Sequence, residues 1–176
     1  MSAPRGSAAT VEGTALRTAL RPYASGVAVL TAAGAAGPAG VTITSLTSIS
    51  TEPALISFAL ADASSTWARI KDCQWFGIQI LGGDQTETAR RFATSGIDRF
   101  APPTRWHTGP QGVPLLDDCL SWLVCSRYDL IRLGDHHLVV GAVEHTQAGS
   151  HGDGLVHLHG ELQSVASVAL TKAVAD

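Results

Sequence analysis

A run of hydroxyl-bearing residues occupies positions 41–51, which read VTITSLTSIST. Its β-branched content predicts a strand or a bulged strand, and alternation along that strand would place Thr42 and Thr44 on one face and Ser45 on the other. Hydroxyls and free backbone N–H groups beside a bulge suit a neutral polar ligand, such as a sugar alcohol or the rim of a heterocycle. An exposed strand without a ligand would explain the same composition.

A second polar stretch, Ser64-Ser65-Thr66, precedes a predicted helix, and Arg69 lies in the next turn. The hydroxyls, the first amides of that helix and the arginine together could hold a phosphate group. Ordinary N-capping of the helix accounts equally for the serines. Only one predicted strand separates the two polar stretches, so an antiparallel sheet would bring both to the same end.

The histidines and cysteines predict no metal site. His157 and His159 are spaced to share one strand face, and Glu161 follows, but the chain has no later histidine to complete a ligand set. The three cysteines contain no C-x-x-C pair, which argues against a disulfide framework and predicts free thiols. The four tryptophans are predicted to be core residues.

Three common catalytic signatures are absent from the sequence. Without G-x-S-x-G, the chain has no nucleophile elbow of an α/β-hydrolase. It also lacks a Walker A motif and G-x-G-x-x-G, which excludes a P-loop and a Rossmann dinucleotide site.

Length, composition and net charge limit the number of domains and the classes of partner that the chain could have. The chain has 176 residues, of which 45% are apolar and 15% charged, with a net charge of −3. This length predicts one folded domain, 14–168, between short tails at 1–13 and 169–176. The negative charge argues against a nucleic-acid partner, and we expect neither a membrane span nor a signal peptide, hence a cytoplasmic location. The low charge density predicts that a second subunit covers apolar surface.

The pattern of short apolar runs and turns predicts a mainly β fold, a closed antiparallel Greek-key-like barrel with a few short helices. Residues 97–114 form a long loop rich in proline and glycine, a feature that is usually functional. Helices are predicted over 14–21, 64–71 and 84–92, with Asp84 capping the third. Strands are predicted over 27–32, 41–50, 54–60, 75–81, 120–133, 136–146 and 155–165.

Several motifs, in this order and spacing, resemble the flavin reductase domain family over nearly the whole chain. They are RPYASGVAVLT at 21–31, GVTITSLTSIS at 40–50 with Glu52-Pro53, SST at 64–66, QTETARRFA at 85–93, DRF at 98–100, GVPL at 112–115, GDH at 134–136 and GAV at 141–143. Two positions depart from the family's pattern: Thr44 stands where asparagine is frequent, and His157 where tyrosine is frequent.

The resemblance implies a homodimeric FMN-binding split barrel that uses NAD(P)H, with NADH favoured over NADPH, to reduce a flavin. The flavin would be FAD, with FMN as the alternative, and the reduced flavin would pass to a separate flavin-dependent monooxygenase. Hydride would move from nicotinamide to flavin, so the protein would supply binding and alignment rather than an acid–base pair. A flavin-retaining oxidase on the same fold and a non-catalytic flavin- or haem-binding module remain alternatives.

The resemblance also implies a set of cofactor-binding residues. The isoalloxazine edge would lie on 42–46, the ribityl phosphate against Ser48, Ser64, Ser65 and Arg69, and the rest of FAD against Arg99 and Phe100. His136 would position the nicotinamide. The full expected set is Thr42, Ile43, Thr44, Ser45, Leu46, Ser48, Ile49, Ala63, Ser64, Ser65, Arg69, Ile70, Arg99, Phe100, His136 and His157.

Overall fold

The computed structural model describes residues 10–149 and 152–166, so most of the two expected tails lies outside the described residues. Three short α-helices lie wholly within these residues, α1 (Gly13–Leu20), α2 (Ser65–Ile70) and α3 (Thr86–Ala93), and a 3₁₀ turn spans Pro110–Gly112. In the described part of the chain, no helix is long and apolar enough to cross a membrane.

Strands make up most of the rest of the structure. They are β1 (Ser25–Gly26), β2 (Ala28–Gly34), β3 (Gly37–Ile43), β4 (Thr47–Thr51), β5 (Ala54–Ala61), β6 (Trp75–Ile80), β7 (Trp106–Thr108), β8 (Pro114–Leu116), β9 (Ser121–Leu133), β10 (His136–Ala148), β11 (Leu155–Leu158) and β12 (Glu161–Ser164). The prediction of a mainly β protein with a few short helices is therefore confirmed.

Seven strands form one antiparallel sheet in the order β3-β2-β6-β9-β10-β5-β4. Its centre is the long hairpin of β9 and β10, which pair along nearly their whole length. A small sheet, β1-β11-β12, lies beside it, and β7 pairs with β8. Because β10 also pairs with β5, the hairpin lies next to the strand that leads into α2.

Closure of the sheet into a barrel is not confirmed. Strands β3 and β4 are its edges, and no ladder joins them among the residues described. The pairing of β4 ends at Thr47 opposite Ser57. Two residues further along β5, the side chain of Ser45 takes over: its Oγ accepts from the Ala59 N–H at 2.9 Å and donates to the Ala59 carbonyl at 3.3 Å. The Ser45 side chain thus forms hydrogen bonds with the Ala59 backbone that the main chain of a longer β4 would have formed.

Strand β2 separates two apolar clusters, because its alternate residues face opposite sides. Ala28 and Leu30 join the larger cluster, in which Phe58 and Phe76 meet edge to face with ring centroids 5.7 Å apart. Val29 joins the second cluster, beneath α3. The second cluster is the one that supports the long loop after α3.

Several predicted helices and strands begin or end at other residues in the structure. The single strand expected over 41–50 is broken at Thr44–Leu46, where the chain bends. The strand expected over 155–165 is interrupted by a turn at His159 and Gly160, so His157 and His159 do not share a strand face as predicted. Helix α3 begins at Thr86 with Gln85 at the N-cap position, so the prediction of Asp84 as its cap is wrong.

Gly77 in β6 gives a direct test of this packing. A Cβ added there would lie 2.6 Å from Thr31 Oγ1, 2.7 Å from Gln79 Nε2 and 2.8 Å from Val113 Cγ1. We expect Gly77→Ala to lower the free energy of unfolding in urea by about 1–3 kcal/mol, the usual effect of overpacking a core. Gly13→Ala is the control, because nothing lies within 4 Å of that Cβ. Equal stability of the two variants would contradict the described packing.

Candidate functional site

A cavity of about 580 Å³ lies where α2, the turn into β3 and the loop after α3 meet. Its lining combines hydroxyl, guanidinium, carboxylate and aromatic groups with backbone. The lining residues are Ala36, Pro38, Ala39, Gly40, Ser65, Thr66, Arg69, Gly96, Ile97, Asp98, Arg99, Phe100, Ala101 and Trp106. Four of the expected cofactor-binding residues therefore share one cavity: Ser65, Arg69, Arg99 and Phe100.

Arg69 lies in the last turn of α2 and reaches across to the turn before β3. Its Nη2 donates to the Pro38 carbonyl at 3.0 Å and to the Ala36 carbonyl at 3.5 Å. These bonds fix the direction of the side chain while the residue stays exposed.

Arg99 is the more buried of the two arginines. Its Nη1 donates to Thr66 Oγ1 at 2.8 Å and to the Gly40 carbonyl, and its Nε donates to the Thr94 carbonyl at 2.9 Å. Burial, and to a smaller extent the charge of Arg69, lowers the pKa of Arg99 from its usual value.

Within the described chain, neither Arg69 nor Arg99 forms an ion pair with a carboxylate. Two guanidinium groups close enough to affect one another, and without an anionic partner among these residues, are chemically suited to an anion. Planar guanidinium forks suit phosphate in particular.

The loop that carries Arg99 is held by Arg91 of α3. Its guanidinium donates to the carbonyls of Asp98 at 2.9 Å, Arg99 at 3.2 Å and Ala101 at 3.0 Å. Thr104 Oγ1 also donates to the Arg99 carbonyl, at 2.7 Å. The site therefore depends on Thr66, one of the three candidate hydroxyls, which accepts from Arg99, and on Arg91, which lies outside the expected set. No local pattern marks Arg91, because the atoms that it binds are main-chain carbonyls.

Three other expected residues in or just before α2 have structural surroundings. Ser64 Oγ caps α2 by accepting a hydrogen bond from the Trp67 N–H at 3.2 Å, so N-capping, the alternative to phosphate binding, describes its contact in the structure. Ile70 is fully buried in the larger apolar cluster. Ala63 is exposed in the turn before the helix.

The hydroxyl-rich segment lies outside the cavity lining. Thr42 Oγ1 donates to the Ala89 carbonyl of α3 at 2.6 Å. Thr44 is exposed, and Ser45 binds β5 as described above. The remaining expected residues divide between the core and the edge strand: Ile43 is buried, Leu46 packs on the larger cluster, and Ser48 and Ile49 are exposed on β4.

The two expected histidines lie at different places. His136 begins β10, exposed, with its Nδ1 2.8 Å from Asp135 Oδ1. This hydrogen bond is the main reason that the pKa of Asp135 lies below its usual value. The turn between β9 and β10 is tied to the segment between β5 and α2, because the Asp62 N–H donates to the Asp135 carbonyl at 2.9 Å. His157 pairs with Ser25 in the small sheet and does not line the cavity.

The thiols take no part in this site. Burial raises the pKa of Cys119 to about 11 and that of Cys125 to about 12, so both stay protonated at neutral pH. Over residues 10–149 and 152–166, no group of three or more histidine, cysteine or carboxylate side chains could hold a metal ion.

A protein-family model and several known proteins match this chain. The family model described as "Flavin reductase like domain" matches residues 20–166. The NADH:FMN oxidoreductase of Rhodococcus erythropolis is 40% identical over 132 residues, which span 75% of this chain and 69% of that protein. The reductase component of 4-nitrophenol 4-monooxygenase/4-nitrocatechol 2-monooxygenase from Rhodococcus opacus is 37% identical over 134 residues, 76% of this chain and 71% of that protein.

Solved structures agree. A flavin reductase domain protein from Arthrobacter sp. FB24 superimposes with a TM-score of 0.82 at 31% identity, covering 87% of this chain and 95% of that one. The NADH:FAD oxidoreductase of Streptomyces globisporus, in complex with NAD and FAD fragments, gives a TM-score of 0.81 at 27% identity, covering 89% and 96%. The chain therefore belongs to the flavin reductase like domain family.

Proposed function

We propose that the protein is an NADH:flavin oxidoreductase that supplies reduced flavin to a separate monooxygenase. The observation that carries this is a cavity with two arginines that have no carboxylate partner within residues 10–149 and 152–166, in a chain of the flavin reductase like domain family. Relatives named as NADH:FMN oxidoreductase and as reductase components of monooxygenases support the reaction and the partner.

The residues of the cavity fit the phosphate end of a flavin nucleotide. A phosphate offers several oxygens, and the cavity offers the guanidinium of Arg69, that of Arg99 and the hydroxyl of Ser65. Partial burial of Arg99 makes its charge costly until an anion compensates it, because desolvation disfavours an isolated cation. An anionic ligand would therefore be bound more strongly here than at a solvated arginine.

When bound, the flavin supplies the redox chemistry by accepting hydride from the nicotinamide of NADH. The chain's own task is to bind and align. Ser65, Arg69 and Arg99 hold the phosphate, and the segment 42–46 lies along the ring edge. His136, whose imidazole direction is set by Asp135, positions the nicotinamide.

The proposal includes a homodimer in which a second copy covers α1 and the exposed apolar side chains of β9. Helix α1 has no buried residue. An eight-residue helix is not stable by itself, so it needs a partner surface. Its exposed apolar side chains include Leu16 and Leu20, and those of the hairpin include Tyr128 and Ile131. Two such surfaces on one chain suit the self-complementary interface of a two-fold dimer.

Three finer features belong to the same proposal. Residues 14–168 act as one domain, which the family match over 20–166 supports. The sheet of each subunit closes as a split barrel. The protein works in the cytoplasm, for which the free thiols Cys73, Cys119 and Cys125 are the supporting observation, because free thiols persist in reducing compartments.

Purified protein tests the reaction directly. Protein that oxidises NADH only after flavin is added supports the proposal. Protein that keeps a yellow flavin and turns over without NADH would instead be an oxidase, and bound cofactor without turnover would indicate a binding module.

Loss of one cavity arginine tests the phosphate site. We expect Arg69→Ala to weaken flavin binding by about 1–3 kcal/mol, the range for lost charge-assisted hydrogen bonds, with turnover at saturating flavin changed less. Isothermal titration of the protein with flavin measures the effect. Arg90→Ala is the matched control, since Arg90 is an exposed arginine that pairs with Glu87 on α3. Unchanged flavin affinity in Arg69→Ala would place the phosphate elsewhere.

Loss of the His136 imidazole tests its positioning role. We expect His136→Ala to raise the KM for NADH or lower kcat about tenfold, about 1.4 kcal/mol, with flavin affinity unchanged. Steady-state kinetics at saturating flavin measures this. His145→Ala, at an exposed histidine on the same strand, should behave as wild type. A lower melting temperature with weaker binding of both cofactors would instead indicate a structural role.

A charge on α1 tests the dimer. We expect the wild-type chain to sediment as a dimer at micromolar concentration and Leu16→Asp to shift it towards monomer, because a carboxylate would be buried in an apolar interface. Thr18→Asp, on the opposite side of the same helix, should sediment as wild type. A fully active wild-type monomer would contradict the proposal.

A further inference from the structure

Trp106 is an exposed aromatic residue held in one orientation. The residue is 37% exposed, contrary to the prediction that the tryptophans belong to the core. Its Nε1 donates to the Phe100 carbonyl at 3.3 Å, and its ring meets the Phe100 ring edge to face with centroids 5.4 Å apart. Phe100 in turn packs edge to face on the fully buried Phe92, at 5.3 Å. This stack anchors the indole to the core and leaves part of its surface open.

The exposed indole lines the same cavity as the two arginines. Arg99 precedes Phe100 in the chain, so the loop that presents the guanidinium also carries the ring on which Trp106 rests. Arg91 and Thr104 fix that loop through its carbonyls. The guanidinium of Arg99 and the indole of Trp106 are therefore held by the same loop on one side of the cavity.

The cavity has more room than one phosphate requires. Its volume of about 580 Å³ is that of a pocket for a whole small molecule. The isoalloxazine ring is proposed to lie on 42–46, outside this lining, so the terminal phosphate of FMN would occupy only the arginine end. The remaining space, next to Trp106, suits a second phosphate and a nucleoside.

We propose that Trp106 is a specificity-determining residue that favours FAD over FMN by stacking on the adenine ring. This inference rests on the proposed function, because it concerns the flavin of that reaction. Arg69 and Arg99 bind the two phosphate groups of FAD, and the indole covers one face of the adenine. Stacking on an aromatic side chain needs no hydrogen bonds to the base edge. FMN has no adenine, so Trp106 contributes nothing to its binding.

The test is isothermal titration of the full chain with FAD and with FMN, in the absence of NADH. We expect Trp106→Ala to weaken FAD binding about tenfold, within the range for one lost base–aromatic stack, and to leave FMN affinity unchanged. Trp106→Phe should keep most of the FAD affinity, because it keeps a ring. His107→Ala is the matched control: it is the next residue of β7, points to the other face and binds Asp117 at 2.7 Å.

Adenosine 5′-monophosphate provides a second measurement. We expect it to compete with FAD on the wild-type protein and to bind Trp106→Ala about tenfold more weakly, again by loss of the stack. If Trp106→Ala fails to fold, Trp106→Leu fills the space without a π surface, and the same loss confined to FAD is expected.

Three results would overturn the inference. Equal loss of FAD and FMN affinity would make Trp106 a support for the loop only, and unchanged affinity for both would remove it from the site. A rise in the NADH KM with unchanged FAD affinity would assign the aromatic surface to the adenine of NADH. Failure of the proposed function is distinguishable, because the wild-type protein would then bind neither flavin and oxidise no NADH.

Discussion

The partly buried guanidinium of Arg99 is the interaction on which the site depends. Three segments distant in sequence meet at this group: Gly40 in β3, Thr66 in α2 and Thr94 after α3. Each offers an oxygen rather than a full charge, so three of the five N–H donors of the guanidinium are bonded, while its charge has no carboxylate partner among the described residues. A buried charge without a partner is costly, and that cost falls when an anion enters. The proposed anionic ligand would therefore relieve a cost that the folded protein already carries.

The hydrogen bonds to Arg99 require β3, α2 and the end of α3 to lie close together. A Cβ at Gly40 would lie 2.8 Å from a ring carbon of Phe92 and 2.9 Å from the Leu30 carbonyl, so only glycine allows β3 to pass so close to α3. Phe92 also supports Phe100. The second apolar cluster therefore also positions the loop after α3, because the contact of Phe92 with Phe100 sets how far that loop lies from the sheet. Any change that moves α3 would move Arg99, Phe100 and Trp106 together.

The sequence predicted the parts of the site that carry local signals. Hydroxyls before a helix and an arginine one turn later indicated Ser65 and Arg69, and the family resemblance indicated Arg99 and Phe100; all four line the cavity. Thr66 was among the candidate hydroxyls, whereas Arg91 and Trp106 were not assigned to the site, because local patterns do not reveal that Arg91 binds loop carbonyls or that Trp106 rests on Phe100. The bend at Thr44–Leu46 was missed for a related reason. Strand propensity describes single residues and does not reveal that the Ser45 side chain would bind the backbone of β5.

Strand register explains why His136, and not its neighbour, is free to meet a ligand. Successive residues of β10 point to opposite faces, so a slip of one residue would exchange His136 and His137. His137 is held firmly: its Nε2 lies 2.7 Å from Asp62 Oδ1, and its ring stacks on Trp67 with centroids 4.7 Å apart. Asp62 stays ionised at neutral pH, since the hydrogen bond from Arg132 lowers its pKa. One histidine thus fixes the hairpin against α2, the helix that carries Ser65 and Arg69, and thereby keeps the other on the open face. The proposed nicotinamide-positioning residue and the proposed phosphate-binding helix are thus linked through Asp62, which bonds His137 and Arg132 through its carboxylate and the Asp135 carbonyl through its N–H.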